Sequence, residues 1–413
     1  MSAPQRILFV NRFYWPDEPA TAQLLTDLAE ALVVAGHAVS VIASAPQGRA
    51  VPKEEIRRGV QVIRVSTPRF AHRCVLFKAI AFLLFSIGAL RIISRLLIPN
   101  DVLVVMTDPP LLGIPATWIA RRRGAAVVHW VQDVYPEIAI TIGGIGLAHI
   151  FRSSRDRAWK NAAACVALGQ DMAALLRSRG VAPERITISP NWAPAGLVHY
   201  PSATPNIFWN GWGLVGKFVV MYSGNLGRVH DLEPIILVAR ALQSEKDIVF
   251  LFVGDGAQKS RLQTLAAERG LTNIVFQPAQ PREKLGQTLA LADLHLITLR
   301  AGCEQLVFPS KLYGITAIGR PVLFIGPEDC ELSQMIMSHA FGFTCGCNNL
   351  APAVTAIHQL RDSPEQCALL GKAAEEFYRR AGGLESSVAI WTALLSRLTP
   401  LAERPCTPSK YDQ

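Results

Sequence analysis

Three short stretches hold the residues best suited to chemistry on an anion. Tyr222-Ser223-Gly224-Asn225-Leu226-Gly227-Arg228 follows an apolar run and precedes a helical pattern from about Asp231. Gly224 and Gly227 let backbone approach a ligand closely, and Arg228 adds a fixed positive charge. This turn is not the GxGxxG of a dinucleotide enzyme. Gly254-Asp255-Gly256 ends the next apolar run, so both turns fall on one edge; an ordinary tight turn explains the second equally well. Pro309-Ser310-Lys311-Leu312-Tyr313-Gly314 puts a hydroxyl and an ammonium at the expected start of a helix, an arrangement that suits a diphosphate. A solvated lysine is the plain alternative for Lys311.

The elements that must position these residues alternate in kind. In the first half, strands are expected at Ile7–Val10, Val39–Ala43, Val60–Val65, Val102–Met106, Ala126–Val131 and Ala163–Leu168, with helical patterns between them. A Pro- and Gly-rich stretch then interrupts the alternation. It restarts with Phe218–Tyr222, Ile248–Val253, Asn273–Phe276, Leu294–Leu299 and Val322–Ile325. Such alternation predicts an α/β chain with two doubly wound, Rossmann-like domains that face each other across a cleft. The expected division is 1–195, a linker at 196–216, a second domain at 217–377, a helix at 378–400 that returns to the first domain, and a disordered tail at 401–413. The chain has 413 residues, more than one core usually serves.

Composition narrows the partners. Charged residues make up 18% of the chain, which excludes extensive disorder, and the net charge of +9 favours anionic partners. The eight cysteines show no CxxC pair and read as packed thiols in a reducing compartment. Ile7-Leu8-Phe9-Val10 is too short for a secretory apolar core, so a cytoplasmic chain is expected. Segment 74–98 is apolar but includes Lys78, Arg91 and Arg95. Charges at the centre of a bilayer are costly, so a helix lying on an anionic membrane surface is expected rather than a spanning one. Arg64, Arg69, Arg73, Arg121, Arg122 and Arg123 flank it. A buried helix of the first domain is the alternative. The basic residues interleave with aliphatics rather than forming a stacking platform, so no nucleic acid is expected.

The ordered set Asn11–Asp17, Thr107-Asp108-Pro109-Pro110, Gln132–Glu137, Pro190-Asn191-Trp192, Tyr222–Gly227, Val253–Gly256 and Pro309–Leu312 resembles retaining glycosyltransferases of family 4, which have the GT-B architecture. Within that family the likeness is greatest to enzymes of colanic-acid and O-antigen synthesis. The resemblance implies a UDP-sugar donor, a lipid-linked saccharide acceptor, and work at the cytoplasmic face of the inner membrane as a peripheral protein. Gly224, Asn225, Arg228, Gly254, Asp255, Phe276, Ser310 and Lys311 would bind the donor. Tyr14, Pro16, Ala20 and Thr21 would line the acceptor side. Asp133 and His129 would face the reacting sugar, although a turn aspartate and a packed strand histidine remain open for them. The chain contains no Asp-x-Asp, and no metal or other cofactor is expected. The family's glutamate pair is absent: Gly314 and Leu306 stand at those places, Glu304 is out of register, and Asn225 and His230 replace the usual Arg and Lys. A sugar-nucleotide epimerase of the same shape, or a non-catalytic partner in polysaccharide assembly, are the competing readings.

Overall fold

A computed structural model describes residues 4–46, 50–67, 75–143, 146–194, 196–197, 206–381 and 383–398. Arg69, Arg73, Cys74, Cys406 and the tail at 401–413 lie outside the described residues, as does the side chain of Lys78.

Short β-branched and aliphatic runs, apolar on both faces, build two sheets that are parallel but for one edge pair. The first comprises β1 (Arg6–Val10), β2 (Ala38–Ser44), β3 (Glu54–Arg57), β4 (Val60–Val65), β5 (Val102–Met106), β6 (Ala126–Trp130), β7 (Ala164–Ala167) and β8 (Ile186–Ile188). Its spatial order is β3-β4-β2-β1-β5-β6-β7-β8. Because side chains alternate along a strand, Ile7 and Phe9 enter one core layer with the helix Ala20–Val34. Leu8 and Val10 enter the other, with the helix Val75–Leu96. The second sheet comprises β9 (Phe218–Ser223), β10 (Ile248–Val253), β11 (Ile274–Gln277), β12 (Leu294–Thr298), β13 (Val322–Ile325) and β14 (Gly342–Cys345), in the order β11-β10-β9-β12-β13-β14.

The two units share a core and backbone contacts. One apolar cluster draws Val131, Val134 and Leu176 from the first domain and Leu299, Leu306 and Phe324 from the second. The Val134 N–H donates to the Leu306 carbonyl at 2.9 Å, and Asp133 forms a β-bridge with Val307. This joins the carboxyl end of β6 directly to the second domain.

Two boundaries and one motif differ from expectation. The described part of 206–216 is not a free linker: Phe208, Trp209 and Trp212 cover one face of β9 and β10, and Asn206 Nδ2 donates to the Gln287 carbonyl at 2.6 Å. Gly211-Trp212-Gly213-Leu214-Val215-Gly216 spells GxGxxG, but it precedes β9 instead of following a strand, so it has no phosphate-binding context. The second domain's last helix runs on to Ala381 rather than giving way at 378. The helix Pro364–Ala381 stays on the second domain, where Phe377 meets Phe341 at 4.9 Å. The helix Leu384–Leu398 packs on the first.

That last helix closes the first domain. Trp391 is 0% exposed, edge-on to Trp130 at 5.1 Å and 6.2 Å from Phe9. Its loss empties space that the rigid sheet cannot refill. Trp391→Ala is therefore expected to cost about 3–5 kcal/mol of unfolding free energy. Chemical denaturation checks this, and a loss below about 1 kcal/mol would contradict the packing role.

Candidate functional site

Both sheets end their strands toward the junction between the domains, where ligands of open parallel sheets bind. In the second domain the loop from Ser223 to His230 is pressed against the loop after β10. Glycine is required there: a Cβ on Gly254 would collide with the Gly224 carbonyl oxygen, and one on Gly256 with the Leu226 backbone. Backbone bonds lock the two loops together, Leu226 N to Asp255 O at 2.9 Å and Gln258 N to Leu226 O at 3.1 Å. Gln258 Nε2 also donates to the Gly227 and His230 carbonyls at 2.6 and 2.9 Å. Tyr222, buried at the end of β9, donates its hydroxyl to the Asn225 carbonyl at 3.0 Å.

Lys311 aims into this loop. Its Nζ lies 3.5 Å from the centroid of the Tyr222 ring and about as close to where a Gly224 Cβ would stand, at 3.7 Å. Among the described residues that buried nitrogen has no hydrogen-bond partner and no carboxylate. Burial alone drives the Lys311 pKa well below its ordinary value. A buried amine without a counter-charge is costly, and the natural remedy is an incoming anion.

The other expected donor residues sort by exposure. Gly224, Asn225, Arg228 and Asp255 are exposed on these two loops, and no ion pair engages Arg228 among the described residues. Asp255 Oδ1 accepts the Gly256 N–H at 2.8 Å, the work of a turn residue. Phe276 is half-buried and stacks on Phe252 at 5.0 Å. The helix after Ser310 has only seven residues, Lys311–Ala317, and Ser310 caps it with no side-chain bond. The clamp expected from a helix start therefore reduces to the lysine itself. The structure also explains the missing glutamates. Leu306 is buried in the inter-domain core, and a side chain on Gly314 would point at Leu289 and Leu197.

On the first domain, Arg12 follows β1 and grips Asp108 with Nε and Nη2 at 3.0 and 3.2 Å. Burial raises the Asp108 pKa despite that pairing. Asp133 is nearby at the end of β6, its N–H donating to Thr107 Oγ1 at 3.1 Å. Burial, and then the Asp108 charge, push the Asp133 carboxyl up to about 6. A cavity of about 30 Å³, room for a water or two, lies among Thr107, His129, Asp133, Tyr135, Arg155 and Trp159.

Two expected residues are not placed to meet a substrate. His129 Nε2 bonds Thr117 Oγ1 at 2.9 Å, and the ring fills the space a side chain on Gly113 would need. The alternation of β6 turns His129 toward the helix Gly113–Arg122, and burial, then the Arg155 charge, lower its pKa to about 4. It is a packed, neutral strand residue. Tyr14 is 1% exposed and belongs to the core, whereas Pro16 and Thr21 are half-buried and Ala20 is exposed. Trp15, in the same loop, is 39% exposed with Arg57 4.2 Å from its ring centre.

The Asp133 shift has a stability consequence. A carboxyl whose folded pKa is raised binds its proton more tightly in the native chain, so stability is lost as pH climbs from about 4 through about 6. Asp133→Asn is therefore expected to raise the melting temperature at pH 7.5 and to leave it nearly unchanged at pH 4. Equal shifts at the two pH values would refute the assignment.

With this geometry in hand, comparisons with known proteins are informative. Residues 21–192 match the glycosyl transferase 4-like domain, and residues 211–377 match glycosyl transferases group 1. The putative colanic acid biosynthesis glycosyl transferase WcaI of Escherichia coli K12 is 27% identical over 353 residues, 80% of this chain and 85% of that protein. Among solved structures, the sucrose-phosphate synthase of Thermosynechococcus elongatus superposes with a TM-score of 0.76 at 16% identity, covering 95% of this chain and 99% of that one. Anabaena HepE, solved with UDP and glucose, gives 0.70 at 15% identity, covering 95% and 100%. Two facing Rossmann-like units, each matching its own glycosyltransferase domain, place this chain in the family 4-like glycosyltransferases of GT-B fold.

Proposed function

We propose that the chain moves a sugar from a UDP-sugar to a lipid-linked saccharide at the cytoplasmic face of the inner membrane, retaining the anomeric configuration, in the assembly of an exopolysaccharide or O-antigen. The donor half rests on one observation above all: the unpartnered, buried Lys311 nitrogen beside Gly224. HepE, with the same fold, binds UDP, and the name of the Escherichia coli relative points to colanic acid; both support the reading. Retention rests on the family likeness.

The chemistry follows from charge. As the bond between the anomeric carbon and the diphosphate breaks, its electron pair goes to a β-phosphate oxygen. Lys311 and Arg228 offset that charge, and fixed cations in a site shielded from water lower the barrier most. The acceptor hydroxyl passes its proton to the departing phosphate while its oxygen bonds the sugar. Asp133, at the opposite edge of the junction, orients that hydroxyl.

The membrane half rests on one face of the first domain. Ala79–Leu96 is the one described helix long and apolar enough to cross a bilayer, but Phe85, Ala89 and Ile93 form a stripe packed on the sheet. Leu83 is 59% exposed, with Leu84 and Ile87 beside it. The neighbouring helix adds Trp118, 57% exposed, with Arg122 over its ring at 3.7 Å. Exposed apolar side chains interleaved with arginine suit an anionic lipid surface.

Two outcomes are expected. Lys311→Met should lower UDP release in the presence of membrane acceptor on the order of a hundredfold while the melting temperature holds or rises, because an unpaired amine leaves the interior. An unchanged rate would remove Lys311 from the reaction. Replacing Leu83, Leu84 and Ile87 with serine should abolish co-sedimentation with phosphatidylglycerol vesicles and leave UDP binding intact. Sedimentation at the wild-type level would reject the membrane face.

A further inference from the structure

His230 ends the donor loop, and its bond shows that one ring nitrogen carries a hydrogen. Its Nδ1 lies 2.8 Å from the Thr298 carbonyl oxygen. A carbonyl only accepts, so Nδ1 bears a hydrogen, and in the neutral form of the ring the lone pair is on Nε2. The ring stands edge-on to Tyr222, their centres 6.0 Å apart, and Lys311 Nζ sits over that same tyrosine. One buried phenol ring thus brings together two bases.

No acid balances them among the described residues. From the loop itself, Arg228 is exposed and Asp231 pairs with Arg300 at 3.8 Å. Asp255 is occupied by the Gly256 N–H, and the Cys347 thiol lies near Asp231 and Arg300. From β12, His295 is tied to the Leu289 carbonyl at 2.9 Å. Burial, then the Lys311 charge, hold His230 down at about 3, and burial holds Lys311 low as well.

We infer that His230 and Lys311 act as one proton-accepting pair, so that a nucleoside diphosphate binds here together with at least one proton. This rests on the donor site proposed above. A neutral imidazole offers a phosphate only a lone pair, which repels it. A negative charge within a few ångströms favours the protonated form of each base, so the anion and the proton bind cooperatively. With one proton taken up per ligand, affinity weakens about tenfold for each pH unit between the titration of the empty site and that of the complex.

The test is calorimetric titration of the full-length chain with UDP at pH 7.5 in two buffers of contrasting ionisation enthalpy, Tris and HEPES. The terminal phosphate of UDP ionises near pH 6, so it is charged beforehand and needs no further proton. The wild type should show buffer-dependent enthalpies equivalent to uptake of at least one proton. His230→Gln, whose amide can still donate to Thr298, should bind UDP and take up about one proton fewer. His230→Asn, judged by the same count, serves if the glutamine variant is not folded by circular dichroism. Equal enthalpies in both buffers, or a wild-type proton count in the variants, would overturn the pairing. Absence of any UDP heat in either buffer would instead overturn the donor site, and the pairing with it.

Discussion

The whole donor side depends on an amine held over the face of one buried tyrosine. Tyr222 does two things at once: its hydroxyl shapes the turn by bonding the Asn225 carbonyl, and its ring is the only described neighbour that attracts the Lys311 nitrogen. A ring face attracts a desolvated cation by roughly 2 kcal/mol, less than the cost of burying an unpaired charge. The site is therefore poised rather than satisfied. The loops around it are rigid because Gly254 and Gly256 let two backbones touch, so the amine cannot escape by rearranging the turn.

The first domain is fixed against this loop by contacts that differ in character. The shared apolar core and the Val134–Leu306 backbone bond form a dry seam at the end of β6. Beside it, two helices cap one another across the domains: the Asp171 N–H donates to the Glu331 carboxylate at 3.2 Å, and the Glu331 N–H to Asp171 Oδ2 at 2.8 Å. At the other side Asp27 accepts from both Trp192 Nε1 and Arg282, each at 3.3 Å. The ion pair with Arg282 is half-exposed and contributes little energy, so the seam, not this strap, sets the angle between the domains. Leu306 serves that seam, which is why its position cannot also offer a carboxylate to the donor.

The central strands were legible in the sequence because parallel sheets bury both faces and leave unbroken aliphatic runs. The strands that escaped notice lack that signal. β3 reads Glu-Glu-Ile-Arg on an antiparallel edge, β8 is three half-buried residues, and β14 opens with a glycine. The glycine turns and Lys311 could be read from local spacing. Whether a strand-end residue faces the cleft or a covering helix could not, because that depends on which layer each face meets. Asp133 and His129 are four residues apart, yet one ends at the domain junction and the other under Thr117. The tie between Lys311, Tyr222 and His230 spans a strand, the loop after it and a distant helix, so no local pattern announces it.

One line of contacts links the proposed membrane face to the proposed acceptor edge. Phe82, on the helix Val75–Leu96, covers one side of the Arg12 guanidinium at 4.4 Å, and Phe13 lies 4.2 Å from it. The same guanidinium grips Asp108, whose charge helps to hold the Asp133 proton. A helix resting on lipid would therefore bear, through a single arginine, on the carboxyl assigned to the acceptor. The geometry suits an acceptor that arrives along the bilayer. On the proposed reading, the lipid of such an acceptor would stay at the exposed leucines and its sugar would reach the end of β6, where the seam brings the second domain to meet it.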